Sequence, residues 1–321
     1  MTKRISSMFK DKRVLVTGGA GFIGSHLVDR LISLSAKVSV VDNLSSGKYS
    51  NIKKNVDSGL IKFYDIDIEG SYLPEVFEEV KPTDVFHLAA IPSVPYSVDH
   101  PLETHYTNVI GTLNLLESAA SNNTRRVIFS SSSSVYGGAE VFPTPEDVAL
   151  EQKSPYALQK FVGERYCKLF SQQSKNLDTV CLRYFNVFGP RQHTNGAYSS
   201  AISAFCDALK NKSRPKIYGD GNQFRDFCYV ENVVRANLRA CIYKKQFMGE
   251  CFNVGSGATI TINDLAKKMK LRSPVYMPAR AGDVKGSLAD VSKISKTLKY
   301  KPLINLDDGL KRTINWYLKE A

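Results

Sequence analysis

Short hydrophobic runs alternate with amphipathic stretches through the first half of the chain. The run RVLVT at 13–17 has the β-branched character of a buried strand, and residues 25–36 show the apolar spacing of a helix. The same signals predict strands at 37–42, 61–68, 84–90 and 125–131, and helices at 73–81, 104–121 and 154–173. Strands that alternate with helices in this way predict a parallel, doubly wound sheet.

A glycine-rich turn joins the first strand to the first helix. Gly18, Gly21 and Gly24 allow a tight turn and let the backbone approach a pyrophosphate at the positive end of the helix. The next strand ends at Asp42, where a carboxylate can accept both hydroxyls of an adenine ribose. An aspartate here favours NAD over NADP, and an ordinary aspartate at a strand end is the alternative.

The strict alternation of strands and helices loosens after about residue 180. Short apolar segments there alternate with glycine-rich and polar loops, which is typical of a smaller domain that covers a substrate. We therefore predict an α/β protein of the Rossmann type. Its doubly wound parallel sheet would occupy residues 1–182, and a smaller C-terminal α/β substrate-binding domain would occupy 183–321, with some later segments returning to the first domain.

The composition is that of a folded globular protein, with 43% hydrophobic and 23% charged residues. No apolar run approaches the roughly 20 residues that a membrane span needs. The basic N-terminal segment also lacks the apolar region of a signal peptide, so we expect a cytosolic protein. Six scattered cysteines without a CxxC pattern favour reduced core thiols over a disulfide framework or a metal site.

The formal net charge of +12 is compatible with a polyanionic partner. The basic residues are spread along the chain, however, and lack the aromatic interleaving of RNA-binding modules. We therefore expect a solvated basic surface, with neither nucleic acid nor a membrane as a partner.

Five consecutive serines, Ser130 to Ser134, come at the end of the strand at 125–131. Serine-rich stretches are usually flexible linkers. In a doubly wound sheet, however, ligands bind beyond the carboxyl ends of the strands, and the serines lie at such an end. They therefore indicate the rim of a binding crevice. His87, inside an apolar strand, is interpreted as a core histidine and not as a catalyst.

Tyr156 and Lys160 form a YxxxK pattern at the start of the helix at 154–173, so they share one helix face. A second YxxxK, Tyr49 to Lys53, lacks this position in the fold. A phenol has a pKa near 10, and a nearby ammonium together with a positive nicotinamide would stabilise its phenolate. A serine hydroxyl beside it can relay a proton. This set predicts oxidation of a carbinol with NAD.

Motifs along the whole chain resemble one family. They are TGGAGFIGSH, DNLSSG, HLAA, SSSSVYG, SPYALQK, RYFNVFGPRQ, GDGNQFRDF and RAGDVKGSLADVSK. On these motifs, residues from about 12 to 318 resemble an extended short-chain dehydrogenase/reductase, and within that group a UDP-hexose 4-epimerase. The resemblance implies a homodimer in which residues 104–121 and 154–173 of each subunit form a four-helix bundle.

The resemblance also implies the residues of the site. Tyr156 and Lys160 would be catalytic, with Ser132 as the catalytic hydroxyl. Ser134 is a second candidate for that hydroxyl, and Ser133 is a third. The residues expected to bind NAD are Gly18, Gly21, Phe22, Ile23, Gly24, Asp42, Asn43, Ser46, Gly47, Asp67, Ile68, Leu88, Ala89, Ala90, Asn108, Tyr156, Lys160 and Tyr184. The residues expected to bind the UDP-sugar are Ser93, Ser132, Asn186, Asn195, Ala197, Tyr198, Tyr218, Arg225, Arg280, Asp283 and Ser287. No metal ion is expected.

Three positions narrow the choice of reaction and of sugar that the resemblance implies. Related dehydratases and decarboxylases carry an acidic residue where this chain has Ser133 and Ser134, so its absence favours C4 epimerisation through a transient 4-keto sugar. Ser287 is small where a bulky residue would restrict the sugar pocket, which favours UDP-GlcNAc and UDP-GalNAc, with UDP-Glc and UDP-Gal also accepted. A UDP-glucuronate 4-epimerase, a UDP-glucuronate decarboxylase, a nucleotide-sugar 4,6-dehydratase and an inactive polyanion-binding protein of the same fold are the alternatives.

Overall fold

A seven-stranded parallel sheet forms the centre of the computed structural model, which describes residues 7–192, 200–279 and 284–320. Its strands are β1 (Arg13–Thr17), β2 (Lys37–Val41), β3 (Ile61–Tyr64), β4 (Asp84–His87), β5 (Arg126–Ser132), β6 (Asp178–Tyr184) and β11 (Glu250–Val254). Their order is β11-β6-β5-β4-β1-β2-β3, and every neighbouring pair is parallel. The predicted doubly wound sheet is confirmed.

Helices cover both faces of this sheet, because alternate strand residues point to opposite sides. Val14 and Val16 of β1 pack in one hydrophobic cluster, while Leu15 packs in another. The helices of the described residues are α1 (Phe22–Ser33), α2 (Lys53–Asp57), α3 (Leu73–Val80), α4 (Val94–Asp99), α5 (Pro101–His105), α6 (Gly111–Ser121), α7 (Pro155–Gln173), α8 (Ala201–Lys210), α9 (Val230–Ile242), α10 (Ile262–Lys268), α11 (Ser292–Leu298) and α12 (Leu306–Glu320). Helices α1 and α9 cover the first face, and α3, α6 and α7 cover the second.

The later part of the chain builds three small sheets around a separate hydrophobic cluster that includes Phe188, Phe205 and Leu265. Their strands are β7 (Val187–Phe188), β8 (Lys216–Tyr218), β9 (Phe224–Arg225), β10 (Cys228–Tyr229), β12 (Ile260–Thr261), β13 (Val275–Met277) and β14 (Gly286–Ser287). Strand β11 does not join them. It returns to the central sheet beside β6.

Several predicted elements have other bounds in the structure. The first helix spans Phe22–Ser33 and not 25–36, and the strand predicted at 84–90 ends at His87. The strand predicted at 61–68 ends at Tyr64, which is the register partner of Val41, the last residue of β2. The helix predicted at 104–121 is divided into α5, a π-helical segment at Tyr106–Ile110, and α6. Such π segments often lie at functional sites.

Five of the six cysteines are buried in the structure, and Cys251 is half-buried. Among the described residues, no helix is both long enough and apolar enough to cross a membrane.

Candidate active site

A cleft lies at the carboxyl ends of strands β1, β2, β4, β5 and β6. Its lining residues are Gly18, Gly21, Phe22, Ile23, Gly24, Asp42, Asn43, Ser45, Ser46, Ile66, Ile68, Glu69, Leu88, Ala89, Ala90, Pro92, Thr107, Ser130, Ser131, Tyr156, Lys160 and Tyr184. Most of the residues predicted to bind NAD are in this set. The chain thus brings together groups that are more than 160 positions apart in the sequence.

The glycine turn at one end of the cleft is too tight for side chains. Gly18 has a φ of +68°, and a Cβ atom on Gly24 would lie 2.0 Å from the Gly18 carbonyl oxygen. Helix α1 begins directly after this turn, and its N-cap residue, Gly21, has no side chain to cap the first turn. The free amides and the helix dipole therefore favour an anion here.

Asp42 lies beside the glycine turn. Its carboxylate accepts hydrogen bonds from the backbone amides of Ala20 and Leu44, both at 2.9 Å. Burial raises the pKa of Asp42, and these amides oppose the shift. Asp42 therefore both pins the loop and presents a hydrogen-bond acceptor to the cleft.

Three residues predicted to bind NAD are not in the cleft lining. Gly47 lies against Asp42, because a Cβ atom there would be 2.8 Å from the Asp42 carboxylate. Asp67 accepts a hydrogen bond from Asn43. The amide of Asn108 is buried and is bonded to the backbone of Ile91 and to Gln159. These three residues support the walls of the cleft.

Tyr156 and Lys160 lie at the other end of the cleft, one helical turn apart in α7. Tyr156 is 8% exposed and Lys160 is 3% exposed. The Lys160 Nζ atom is 6.0 Å from the centre of the Tyr156 ring and 4.9 Å from that of Phe129. The first turn of α7 is fixed by Ser97, whose Oγ accepts a hydrogen bond from the Tyr156 amide at 3.0 Å.

Burial sets the protonation of this pair. It raises the pKa of Tyr156 to about 12, while a hydrogen bond with Ser132 opposes the rise. Burial also lowers the pKa of Lys160 to about 8, while Cys167 and Glu164 oppose the fall. The phenol is therefore neutral at pH 7 in the protein alone. A further positive charge is needed to ionise it, and oxidised nicotinamide carries one.

The five serines have different partners. The Ser130 and Tyr184 hydroxyls are 3.0 Å apart, and Ser131 donates to Glu164 at 2.6 Å. Ser132 ends β5, and its Oγ accepts from the Ser134 amide at 3.1 Å. Its hydroxyl is near enough to the Tyr156 phenol to lower the pKa of that phenol. Ser133 and Ser134 begin a 3-10 turn, and the buried Ser134 Oγ has no hydrogen-bond partner among the described residues. This geometry favours Ser132 as the catalytic hydroxyl.

His87 is fully enclosed, as the sequence predicted for a core histidine. Its two ring nitrogens lie 2.8 Å from the Thr17 hydroxyl and 3.0 Å from the Thr112 hydroxyl. Burial lowers the pKa of His87 to about 3, so the ring is neutral.

Three residues predicted to bind the substrate meet just beyond the end of β6. Asn186 follows Tyr184 by two positions, and its Nδ2 donates to the Ser287 hydroxyl at 3.2 Å and to the Asp226 carbonyl at 3.0 Å. Ser287 of β14 is the register partner of Arg225 of β9. This part of the site is thus built from three separate parts of the chain, near residues 186, 225 and 287.

Two further residues predicted to bind the substrate, Tyr218 and Ser93, lie in separate elements. Tyr218 ends β8, and its carbonyl accepts a hydrogen bond from Gln223. Ser93 is the N-cap of α4 and accepts from the Tyr96 amide. Five predictions lie outside the described residues: Asn195, Ala197, Tyr198, Arg280 and Asp283.

The sequence reasoning missed three residues that position the site, namely Ser97, Glu164 and Arg183. Glu164 lies four residues after Lys160, so helical spacing places a carboxylate on the same inner face of α7. That spacing could have predicted the position of Glu164 from the sequence. Ser97 and Arg183 had none, because their roles depend on contacts between distant segments.

The geometry of the cleft suits NAD. A side-chain-free turn at a helix N-terminus, an acceptor at the end of β2, and a tyrosine and lysine beyond β5 lie along one groove.

Comparison with known proteins supports the same cofactor. The sequence model of the NAD dependent epimerase/dehydratase family matches residues 14–255, which is more than half of the chain. The chain belongs to this family. The membership confirms the family resemblance and confirms NAD as the cofactor of this epimerase/dehydratase.

Individual relatives match nearly the whole chain. A putative UDP-glucose 4-epimerase of Methanocaldococcus jannaschii is 37% identical over 94% of this chain and 97% of its own length. A UDP-glucuronate 4-epimerase of Thermodesulfobacterium geofontis is 34% identical, and a UDP-N-acetyl-alpha-D-glucosaminuronate decarboxylase of Bacillus cytotoxicus is 33% identical. These three relatives are therefore all named for UDP-sugars, and they differ in the sugar and the reaction.

Two relatives of known structure have closely similar folds. The UDP-glucose 4-epimerase of Thermotoga maritima, solved with UDP-glucose, has a TM-score of 0.90 and 41% identity, covering 95% of this chain and 98% of that one. The UDP-N-acetylglucosamine 4-epimerase of Methanobrevibacter ruminantium, in complex with UDP-N-acetylmuramic acid, has a TM-score of 0.90 and 40% identity, covering 97% of this chain and 100% of that one.

Proposed function

We propose that the protein is a UDP-sugar 4-epimerase that acts on UDP-GlcNAc and UDP-GalNAc and also on UDP-Glc and UDP-Gal. The observation that carries this proposal is a cleft that fits NAD and is lined by Tyr156 and Lys160, with Ser132 next to the Tyr156 phenol. Ser133 and Ser134 stand where an elimination would need an acid. Bound NAD supplies the acceptor, and in its reduced form the donor, of the C4 hydride.

The chain's own residues handle the proton. Tyr156, as phenolate, takes the proton of the C4 hydroxyl, and Ser132 hydrogen-bonds the same oxygen. Lys160 stabilises the phenolate by its charge, and the buried setting strengthens that interaction. With no carboxylate at Ser133 or Ser134, elimination from the keto sugar has no acid or base at that place. The proton therefore returns from Tyr156 to the same oxygen.

The two parts of the chain would divide the binding. Residues 1–182 would hold the cofactor, and residues 183–321 would hold UDP through side chains such as Asn186 and Arg225. Arginine suits a diphosphate because its planar guanidinium donates two parallel hydrogen bonds. The sugar would be held loosely, since it must turn about its link to phosphorus and both epimers must fit.

Proton NMR of UDP-GlcNAc mixed with the purified protein tests the reaction, without added NAD. We expect the anomeric signal of UDP-GalNAc to grow to a stable mixture. UDP-Glc and UDP-glucuronate are the comparison substrates, and turnover of UDP-glucuronate alone would assign the glucuronate 4-epimerase. Release of CO2 or a dehydrated sugar would assign the decarboxylase or dehydratase instead. No change with any of the three would refute the proposed function.

Substitution of Ser287 should change the choice of sugar. Ser287→Tyr fills the space that an N-acetyl group would use, so we expect kcat/KM for UDP-GlcNAc to fall roughly 10- to 100-fold relative to UDP-Glc. Ser287→Ala is the matched control, because it removes the bond to Asn186 but keeps the space. Steady-state kinetics with both sugars measure the ratio. An equal loss for both sugars in Ser287→Tyr would contradict this role.

We also propose that the protein forms a homodimer through the helices next to the cleft. Apolar side chains are exposed at four-residue intervals along α4, α5 and the π segment: Val94, Val98, Leu102, Tyr106 and Ile110. Leu158 and Leu169 of α7 are also exposed. A stripe of this kind is typical of a surface that a partner covers.

Leu102 is the most exposed residue of this stripe, at 74%. Leu102→Glu would bury a charge without a partner, which costs several kcal/mol, so we expect the dimer dissociation constant to rise by at least about 100-fold. Sedimentation velocity over a dilution series measures it. Leu303→Glu is the control, since Leu303 is 62% exposed and lies outside the stripe. A wild-type protein that sediments as a monomer would contradict the proposed dimer.

A further inference from the structure

The carboxylate of Glu164 is the centre of a buried polar network behind the cleft. Arg183 binds it with two parallel hydrogen bonds, both of 2.8 Å, and the two side chains are 3% and 4% exposed. The Ser131 hydroxyl donates to the same carboxylate at 2.6 Å. Arg183 also donates to the Tyr136 hydroxyl at 2.9 Å, which donates to Asn253 at 2.6 Å.

This network joins the elements that carry the candidate catalytic groups. Glu164 is on α7, one turn after Lys160, and Ser131 precedes Ser132 on β5. Arg183 precedes Tyr184, which lines the cleft, on β6. A single carboxylate thus fixes the position of the tyrosine–lysine helix relative to the strand end that bears the catalytic hydroxyl.

Glu164 also acts on Lys160 through its charge. The groups that oppose the lowered pKa of Lys160 are Cys167 and Glu164, both on α7. Lys160 otherwise faces the Tyr156 phenol and the neutral His87 of β4.

The charged group that binds the Glu164 carboxylate directly is positive. That charge is the guanidinium of Arg183 on β6. Three uncharged ionisable groups are also near it: Cys181 on β6, Cys251 on β11 and Tyr136 in the 3-10 turn. Lys160 lies one turn before it on α7, and the charged residues that line one cavity with Glu164 are Glu146, Asp147, Arg165, Lys168, Glu250, Asp290 and Lys293.

We infer that Glu164 is a positioning residue that keeps Lys160 charged at the working pH and holds Ser132 in register with Tyr156. The inference rests on the proposed function for its kinetic consequence, but its electrostatic part concerns the chain alone. Removal of the carboxylate removes an interaction that favours the ammonium. Lys160 then loses its proton at a lower pH, and the stabilisation of the phenolate is lost with it.

The test is Glu164→Gln, which keeps the shape of the side chain and removes its charge. In protein labelled with ε-13C lysine, the resonance that is missing in Lys160→Met reports the titration of Lys160. We expect its midpoint to fall by about one pH unit or more. In the NAD-loaded enzyme, the alkaline limb of the kcat profile should move to lower pH by the same amount.

Three further variants separate charge from structure. Glu164→Asp keeps the charge and should restore the midpoint. The double variant Glu164→Gln with Arg183→Met leaves no unpaired buried cation. It can therefore replace the single variant if that one does not fold, and it should show the same lowered midpoint. Tyr136→Phe removes the far end of the network, so it should lower Tm without moving the midpoint.

An unchanged midpoint in both glutamine variants would overturn the inference, as would an equal shift in Tyr136→Phe. If the midpoint moves as expected but the wild-type protein turns over no UDP-sugar, the positioning role stands and the proposed function fails. If the wild type is active and the midpoint does not move, the proposed function stands and the positioning role of Glu164 fails.

Discussion

Tyr156→Phe should give a folded protein that retains NAD and no longer epimerises UDP-sugars. The substitution removes one oxygen atom from a buried ring that Ser132 contacts, and that atom is the proposed proton acceptor. Loss of a general base typically costs 10²- to 10⁴-fold in rate, so we expect kcat to fall by about 10³-fold or more. Proton NMR measures turnover, and the absorbance of the denatured protein measures released NAD.

The chain offers a matched control for this substitution. Tyr49 begins the second YxxxK pattern but lies in a short 3-10 helix, 36% exposed, and Lys53 pairs with Asp57. Tyr49→Phe should therefore leave kcat within about twofold, in line with the small effects of surface substitutions. Activity retained in Tyr156→Phe would assign the base elsewhere. Loss of NAD from that variant would show that the phenol acts through cofactor binding.

Gly24→Ala should yield protein without bound NAD. The added carbon would lie 2.0 Å from the Gly18 carbonyl oxygen, and a backbone atom cannot rotate away as a side chain can. Relief of the clash must open the turn that would face the pyrophosphate. If overpacking costs about 3 kcal/mol in the cofactor-binding conformation, NAD affinity falls roughly 100-fold. Isothermal titration calorimetry with NAD measures this change.

Gly70→Ala is the corresponding control, because its added carbon would meet no atom nearer than 3.3 Å. It should bind NAD as the wild type does. Thermal unfolding of both variants separates a local change of the turn from general instability. An unchanged NAD affinity in a folded Gly24→Ala protein would refute the proposed role of the glycine turn.

The nucleotide-binding half was predictable because its signals are local. A β-branched run, three glycines, an amphipathic helix and a strand ending in Asp42 follow one another within 30 residues, and each feature has a direct physical reason. The position of Tyr156 and Lys160 was predictable for a similar reason, since a helix puts residues four apart on one face. Parallel strand order then placed the serines at the same edge as the glycines.

The remaining features depend on contacts between distant parts of the chain. Ser287 and Asn186 are 101 positions apart, and no pattern in the sequence links them. The bond between Ser97 and the Tyr156 amide needs α4, which the sequence analysis did not predict. Arg183 lies in a buried strand. Its charge is tolerated there because Glu164 neutralises it.

The burial of the natural thiols has a practical consequence for spectroscopy. Five of the six cysteines are enclosed, so a cysteine introduced at the exposed position Leu303, outside the proposed interface, would react with maleimide labels far faster than they do. A spin label could thus be attached at one chosen position once the half-buried Cys251 alone has been replaced. In a symmetric pair of chains, two such labels would measure the separation of the subunits directly in solution.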